Sequence, residues 1–369
     1  MSTPLRIGFD GRALSSPAAG VRRYAWELFG ALAAADKTIC PVAVGVPDEL
    51  VLPPGVARAG SSWTLPTNAG WMLTGLAHAA RRARIDLFHA PAYTAPVLGP
   101  RPLVVTIHDV SYARHPEWYP YKRDALRRAF YRFSAAAANR VVTDSAFSKR
   151  EIAAAYGLSP DRIDVVPLAA ASAFCAGPLL PLPAKMPSRF VLHVGDLHAR
   201  RNLEMVARAL DRVRRQSPTL SGLSLVLAGV DRGTARDLAR LSDRAGGRVP
   251  LVMFAGVVSE QTLVALYRRA AALVYPSRYE GFGLPLLEAM SCGTPVIAAN
   301  TSSIPEVLGE AGVLLDPENE DAWKEAIGRV VADPGHVAEL TRLGFARAAT
   351  FSWQRTAMET AAIYRKLVS

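Results

Sequence analysis

Cysteine is scarce in this sequence, with three residues among 369. Cys40, Cys175 and Cys292 are far apart, odd in number and without the spacing of metal ligands. This pattern argues against a disulfide framework and against a cysteine metal site. We therefore expect reduced thiols that are packed in the interior or are bystanders, as in a cytosolic protein.

Long apolar runs are also missing. The first residues contain no apolar signal core and lead almost at once into a predicted strand. No run reaches the roughly 18 apolar residues that a transmembrane helix needs. These absences predict a cytoplasmic protein, and they leave open a peripheral contact with the inner face of the cell membrane.

Signatures of nucleic acid binding are absent as well: no zinc finger, helix-turn-helix or RNA-binding motif stands out. The formal net charge is nevertheless +11. Such a basic excess is typical of proteins that meet nucleic acid, an anionic membrane or phosphate-rich ligands. We expect no nucleic acid partner, so phosphate-rich ligands and anionic membranes are the favoured partners.

What the sequence does contain is enough apolar material for a sizeable core, since half of its residues are hydrophobic and a fifth are charged. Its length predicts two domains at about 100–200 residues each. Short apolar runs without alternation recur, with helical stretches between them, as in parallel strands covered on both faces. A segment rich in proline, alanine and glycine, residues 167–187, separates two such series.

The predicted strands of the first series are residues 6–10, 42–46, 86–90, 103–108, 140–144 and 163–166, and those of the second are 190–194, 223–228, 251–254, 273–275, 296–298 and 313–315. We therefore predict an α/β fold with two doubly wound parallel-sheet domains, residues 1–170 and 189–350. A linker, 171–188, joins them, and we expect 351–369 to form a C-terminal helix that packs back on the N-terminal domain. Ligands of such sheets bind outside the carboxyl ends of the strands, and we expect the reactive centre in a cleft between the domains.

The most informative motif is residues 277–290, Ser-Arg-Tyr-Glu-Gly-Phe-Gly-Leu-Pro-Leu-Leu-Glu-Ala-Met. Pro285 suits the first turn of a helix, and Gly281 and Gly283 leave the preceding loop open to a ligand. Unpaired amides at a helix start bind anions. Glu280 and Glu288 would flank that anion site, which indicates a nucleotide-sugar site. A glycine loop with a solvated glutamate at each end explains the spacing equally well.

Loops that follow the first strand of each domain are the next candidates. In the second domain, Gly195 leads to Arg200 and Arg201 just ahead of a predicted helix. Guanidinium groups hold phosphate oxygens bidentately, although adjacent arginines are usually solvated. In the first domain, Gly20 precedes a predicted helix, and a flexible loop explains it as well as a ligand does.

His108 closes a predicted strand, where it could donate a hydrogen bond to a leaving phosphate or a reacting sugar. A structural donor is the commoner role at a strand end, and His89 carries the same ambiguity. The stretch from Tyr112 to Tyr131 is rich in aromatic and basic residues. They either meet anionic headgroups or a lipid-linked acceptor, or they form a helix with an aromatic core and a solvated basic face.

Over nearly its whole length the sequence resembles the retaining glycosyltransferases of family 4, which have the GT-B fold of two Rossmann-like domains. It is most similar to the bacterial mannosyltransferase-like members that build surface polysaccharides. The residues that carry the resemblance are 20–24, 108–118, 144–148, 277–290, 293–298 and 303–307. The specific part is the pair Glu280 and Glu288 with Gly-Phe-Gly-Leu-Pro between them.

The resemblance implies roles for single residues in the donor site. Glu280 would hold the donor sugar, and Glu288 the ribose hydroxyls. The backbone near Val258 would meet the base. The loop backbone would hold the donor sugar and diphosphate, through Gly281, Phe282, Gly283 and Leu284.

Arg201 stands where the family usually has a lysine on the diphosphate. It keeps the charge but is larger and planar. Asp196 occupies a place where some members carry an arginine. His108 matches the family histidine that lies near the donor sugar, so the resemblance implies a catalytic role for His108 and Glu280.

The implied reaction is transfer of a hexose from a nucleoside diphosphate sugar to a hydroxyl of a lipid-linked oligosaccharide or polysaccharide intermediate, with retention. Mannose is the favoured sugar and GDP-mannose the favoured donor. We expect no cofactor and no metal: the sequence has no Asp-x-Asp triplet, and Arg201 with the helix amides would stabilise the leaving diphosphate.

Other functions remain open at this point. One is a non-catalytic nucleotide-sugar-binding partner subunit, and another is a glycosyltransferase that uses a UDP- or dTDP-sugar such as glucose or rhamnose. A two-domain epimerase would share the architecture. A phosphorylase would need a lysine for pyridoxal phosphate, and no such site is evident.

Overall fold

The computed structural model describes residues 4–59, 71–96, 99–119 and 124–368. The chain divides into two compact units. The first unit is Met1–Leu168 with Ser352–Ser369, and the second is Ala169–Phe351. In the part of the chain that is described, no helix is long and apolar enough to cross a membrane.

The first unit is built on a parallel sheet of seven strands in the order β3-β2-β1-β4-β5-β6-β7. The strands are β1 Leu5–Asp10, β2 Ile39–Val44, β3 Ala57–Ala59, β4 Leu87–Ala90, β5 Leu103–Thr106, β6 Arg140–Thr143 and β7 Ile163–Val165. Its helices are α1 Ala19–Ala35, α2 Leu76–Arg82, α3 Ser111–Arg114, α4 Ala125–Ala137 and α5 Ala146–Tyr156, together with the C-terminal α13 Trp353–Val368.

The second unit has a parallel sheet of six strands in the order β10-β9-β8-β11-β12-β13. The strands are β8 Phe190–Val194, β9 Ser224–Ala228, β10 Val252–Gly256, β11 Ala272–Tyr275, β12 Val296–Ala299 and β13 Val313–Leu315. Its helices are α6 Leu203–Gln216, α7 Ala235–Ala245, α8 Glu260–Arg269, α9 Leu284–Cys292, α10 Ile304–Leu308, α11 Glu320–Ala332 and α12 Pro334–Ala348.

Both sheets confirm the predicted α/β fold. Their central strands are buried at every position, for example β4, β5, β8 and β11. This explains the continuous apolar runs in the sequence, because helices cover both faces of each sheet. In each sheet the chain runs outward in both directions from one inner strand, β1 or β8. The loops after these strands therefore lie at the topological switch points where such sheets bind ligands.

The C-terminal helix α13 belongs to the first unit. Thr356 of α13 donates a hydrogen bond from Oγ1 to the Pro167 carbonyl at 2.7 Å. Arg365 forms an ion pair with Asp36, which follows α1. Tyr364 hydrogen-bonds to the buried His89 on β4. The first unit is thus completed by a segment that follows the whole of the second unit in sequence.

The aromatic and basic stretch is only partly described, since Tyr121, Lys122 and Arg123 lie outside the described residues. Tyr112 is buried and packs edge-on against Tyr131, with ring centroids 4.9 Å apart. Leu126 and Phe133 on α4 are exposed. The described part therefore has both an aromatic interior and apolar side chains on its surface.

Candidate functional site

The candidate site in the second unit is formed by the loops that follow β8 and β11. These strands are hydrogen-bonded parallel neighbours, so their carboxyl ends lie at the same edge of the sheet. The loop after β8 contains Arg201, and the loop after β11 contains Glu280. Residues 79 positions apart in sequence thus come together at the switch point of the sheet.

Arg201 is only 8% exposed, and the local backbone geometry fixes its position. It ends a short helical turn, Ala199–Arg201, and Asn202 follows in the left-handed conformation with φ of 54°. The Asn202 side chain donates a hydrogen bond to the Pro317 carbonyl at 2.7 Å. Gly195 has φ of +133°, and a Cβ at this position would lie 3.1 Å from Nη2 of Arg201. A glycine is therefore needed where the guanidinium packs against the end of β8.

Within the part of the chain that the structure describes, one nitrogen of the Arg201 guanidinium makes all of its hydrogen bonds. Nη1 donates to the Tyr275 hydroxyl at 2.7 Å, to Ser277 Oγ at 3.2 Å, and to the carboxylate of Glu280. Burial lowers the pKa of Arg201, and the neighbouring Tyr275 opposes that effect. A buried guanidinium without other acceptors is costly, so this cluster is suited to bind an anion.

The glycine loop that carries Glu280 is held by two serines from the loop before α10. The Glu280 amide donates to Ser302 Oγ at 2.9 Å. Ser303 Oγ donates to the carbonyls of Glu280 and Phe282, at 2.9 and 3.0 Å. Gly283 has φ of +103° and directly precedes α9. The loop is therefore already shaped around the start of α9, as an anion site at a helix N-terminus requires.

Glu288 lies on α9, is 5% exposed, and accepts a hydrogen bond from the Tyr267 hydroxyl of α8 at 2.8 Å. The structure thus brings Arg201 and Glu280 together, whereas Glu288 bonds to a different helix. Val258 lies in the loop between β10 and α8, next to Ser259, which caps α8. Gly281, Phe282 and Leu284 form the loop and the first residue of α9.

Gly20 differs from its expected position. It is the second residue of α1 and not part of the loop before that helix. A Cβ at this position would meet no atom within 4 Å, so no close approach requires a glycine here. The sequence interpretation of Gly20 as a loop glycine is therefore wrong, because the helix begins earlier than predicted.

In the first unit, His108 follows β5 and Asp144 follows the neighbouring strand β6. Nδ1 of His108 and Oδ2 of Asp144 are 2.8 Å apart, and both side chains are largely buried. Among the described residues, Nε2 of His108 has no hydrogen-bond partner. Burial lowers the pKa of His108, but the charge and hydrogen bond of Asp144 outweigh it, so the net pKa is raised. Nε2 is itself buried, and the backbone of Pro91 also favours the charged ring and raises the pKa of His108.

His89, the other candidate histidine, is structural. Its Nδ1 is 2.5 Å from the Tyr364 hydroxyl, and its Nε2 is 2.6 Å from Thr106 Oγ1. Burial, together with the charge of His108, lowers the pKa of His89 to about 3, so the ring is neutral. Both ring nitrogens are used inside the unit, which leaves neither for a ligand.

Asp144→Asn is expected to reduce stability more at about pH 6 than at about pH 9. The raised pKa of His108 means that folding favours the charged ring. Its stabilising contribution is complete below the ordinary value of about 6.5 and is lost as the pH rises through the raised pKa. An amide removes the carboxylate that favours this charge. The measurement is the difference in Tm between wild type and variant across a pH series; a difference that grows toward alkaline pH would contradict the assignment.

Some residues of these clusters did not emerge from the sequence. Tyr275 was seen only as the last residue of an apolar run, and Asp144 only as the last residue of a predicted strand and as part of a motif of the resembled family. Tyr267 carried no signal, because an aromatic residue on a predicted helix is usually part of the core. The available clue was position: Tyr275 and Asp144 both lie where a strand ends, as ligand-facing residues do.

Comparison with known proteins gives matches over both units. The family model described as "Glycosyltransferase Family 4" matches residues 18–170, and the one described as "Glycosyl transferases group 1" matches residues 188–333. The O-antigen chain mannosyltransferase B of Escherichia coli is 33% identical over 297 residues, which covers 79% of this chain and 77% of that protein.

Solved structures show the same architecture. Sucrose-phosphate synthase from Thermosynechococcus elongatus superimposes with a TM-score of 0.76 at 23% identity, and the match covers 99% of this chain and 99% of that chain. HepE from Anabaena, solved in complex with UDP and glucose, has a TM-score of 0.73 at 18% identity, with 98% of this chain and 100% of that chain covered. At such identities these structures establish the fold alone.

Proposed function

The chain belongs to the family 4 glycosyltransferases, and from this premise we propose that it transfers a hexose from a nucleoside diphosphate sugar to an acceptor hydroxyl with retention. Mannose is the sugar we favour and GDP-mannose the donor. The acceptor is a lipid-linked oligosaccharide or polysaccharide intermediate at the cytoplasmic side of the membrane. No metal or other cofactor takes part in the proposed reaction.

The observation that carries this proposal is the cluster of Arg201 and Glu280 beside the start of α9. The guanidinium and the helix amides suit a diphosphate, and the carboxylate suits sugar hydroxyls. Both charged groups are buried, so their interactions with a donor are screened little by water. Such a site matches the diphosphate and the sugar of a nucleotide sugar, the two groups between which the bond breaks during transfer.

In the proposed reaction the bond between the sugar carbon and the diphosphate oxygen breaks while the acceptor oxygen bonds to the same face of that carbon. The acceptor proton passes to the leaving phosphate oxygen, so no protein nucleophile is needed. Arg201 and the amides of α9 stabilise the negative charge that develops on the diphosphate. Glu280 orients the sugar, and His108 provides a hydrogen bond to the sugar or the leaving phosphate.

Mannose is favoured because the Escherichia coli relative, of which 77% is covered, is named an O-antigen chain mannosyltransferase. The base is expected to contact the backbone near Val258, and the ribose hydroxyls to contact Glu288. Because Glu288 is bonded to Tyr267 in the free protein, ribose binding would add a second partner to this carboxylate or replace the first. The fold neighbour solved with UDP and glucose makes UDP-glucose the alternative donor to compare.

A thermal-shift panel of GDP-, UDP- and dTDP-sugars tests the proposal. We expect GDP-mannose to raise Tm most, since a ligand at 100 times its Kd adds about 2.7 kcal/mol of stability. UDP-glucose and dTDP-rhamnose, at the same concentrations, are the comparison ligands. Incubation with the best donor and a saccharide acceptor, followed by NMR of the new linkage, then tests transfer and retention. Donor binding without transfer or hydrolysis would indicate the partner subunit instead, and no shift with any donor would contradict the proposal.

A further inference from the structure

Arg201 poses a geometric problem that a lysine at the same place would not. An ammonium group presents its donors around a point, whereas a guanidinium is a planar fork that binds phosphate well only in one orientation. If Arg201 holds the diphosphate, as proposed above, the fold has to set the rotation of this plane. The contacts of Arg201 show which neighbouring side chain sets this rotation.

All the side-chain hydrogen bonds of Arg201 within the described residues come from one corner of the guanidinium, Nη1. The opposite edge, formed by Nε and Nη2, makes none with the described part of the chain, and Nε is fully buried. These two nitrogens carry parallel N–H groups, which is the geometry that receives two oxygens of one phosphate. The protein therefore uses the corner that is less suited to phosphate and leaves the bidentate edge unused.

Tyr275 contacts Arg201 in two ways. Its hydroxyl accepts from Nη1 at 2.7 Å, and Cζ of Arg201 lies over the Tyr275 ring, 5.3 Å from the centroid. The hydroxyl fixes the rotation of the guanidinium in its plane, and the ring supports its face. The other two acceptors are less suited to this task. Ser277 is more distant, at 3.2 Å, and Glu280 is needed for the sugar.

The Tyr275 ring is itself held rigidly. It is 1% exposed and stacks on His193, with ring centroids 5.6 Å apart and planes 22° apart. Nδ1 of His193 lies 3.1 Å from the Val274 carbonyl. His193 is neutral, since burial and the charge of Arg201 lower its pKa to about 3. A neutral ring in this place supports Tyr275 without repelling Arg201.

We propose that Tyr275 is a positioning residue that turns the Nε–Nη2 edge of Arg201 toward the diphosphate of the donor. This inference rests on the proposed function of the site. The hydroxyl of Tyr275 occupies Nη1, and Gly195 leaves the space that the guanidinium needs.

The test is Tyr275→Phe, which keeps the ring and removes only the hydroxyl. Isothermal titration calorimetry with GDP and with UDP measures the affinity for the nucleotide, and kinetics with the working donor separate KM from kcat. We expect about tenfold weaker binding of the nucleoside diphosphate that the wild type prefers, the loss expected for one hydrogen bond to a charged group. We expect KM for the donor to rise by a similar factor.

Testing Tyr275→Phe in the Arg201→Lys variant separates a positioning role of Tyr275 from a merely structural one. In Arg201→Lys, the ammonium has no edge to orient, so adding Tyr275→Phe is expected to change the affinity by less than about twofold. The matched control is Tyr156→Phe, which removes a buried tyrosine hydroxyl in the first unit, where it bonds to Tyr112, and should leave nucleotide affinity unchanged.

The outcomes distinguish the two proposals. If the wild type binds GDP or UDP and Tyr275→Phe binds it equally well, the positioning role of Tyr275 is overturned and the donor site stands. An equal loss of affinity in the wild-type and Arg201→Lys backgrounds overturns it too, since the hydroxyl would then act independently of the guanidinium. If the wild type binds no nucleoside diphosphate, the proposed function itself fails, and the inference fails with it.

Discussion

Glu280→Gln is expected to lower kcat for sugar transfer by at least about 100-fold, and to lower Tm less than Glu280→Ala does. Glutamine retains the shape of the side chain and one oxygen that can accept from Nη1 of Arg201. It loses the negative charge that strengthens hydrogen bonds to sugar hydroxyls and that balances the charge of Arg201. Steady-state kinetics with the preferred donor, together with differential scanning fluorimetry, measure both quantities.

Glu280→Ala separates the chemical role from the structural one. It leaves the buried Arg201 guanidinium without its carboxylate, and breaking a buried pair in this way costs about 3–5 kcal/mol. From the sequence this variant would be interpreted as purely functional, whereas the ion pair predicts a loss of stability as well. The control is Glu318→Gln, on an exposed pair with Arg278, which is expected to change stability by no more than about 0.5 kcal/mol. Near-normal transfer by Glu280→Gln would contradict the site assignment.

His108→Ala is expected to reduce kcat by about 100-fold or more, and to leave the affinity for the free nucleoside diphosphate unchanged. The reason is that the proposed hydrogen bond of His108 goes to the transferred sugar, which the free nucleoside diphosphate lacks. Its Nδ1 is fixed by Asp144, so a substitution removes a ring of defined orientation. Kinetics at saturating donor and acceptor measure the effect.

His78→Ala is the matched control, because His78 is exposed on α2 of the same unit. It should retain wild-type kcat. A His108→Ala variant whose kcat stays within about threefold of wild type would show that His108 is structural, like His89, since general acid–base groups contribute far more than that.

The sequence predicted the architecture well because the two sheets are parallel and covered on both faces. The sequence therefore predicted strands such as β8 and β13 from their continuous apolar runs, with the same first and last residues as in the structure. The strand β3 was missed because its three residues, Ala57–Ala59, are too few and include no large apolar side chain that would give a pattern. The start of β2 was placed late because Pro41 lies inside it, and proline usually marks a break in a strand.

The candidate site in the second unit was predicted in part. The glycine loop and the helix start that follows it were identified from local spacing and turn chemistry, which act over a few residues. The contact between Arg201 and Glu280 could be expected only in general terms, because it depends on which strands are neighbours. The bond between Glu288 and Tyr267 joins two helices, α8 and α9, whose relative rotation no local pattern specifies. Tertiary packing decided these features.

The discontinuous first unit has a consequence for how the protein is made. Residues 352–368, which complete this unit, leave the ribosome after all of the second unit, Ala169–Phe351. The second unit is continuous and can finish folding during synthesis. Most of the first unit is synthesised earlier, but it is incomplete until α13 has been made. Until then Nδ1 of His89 lacks its hydrogen bond to the hydroxyl of Tyr364. The unit that begins folding first is therefore the last to be finished.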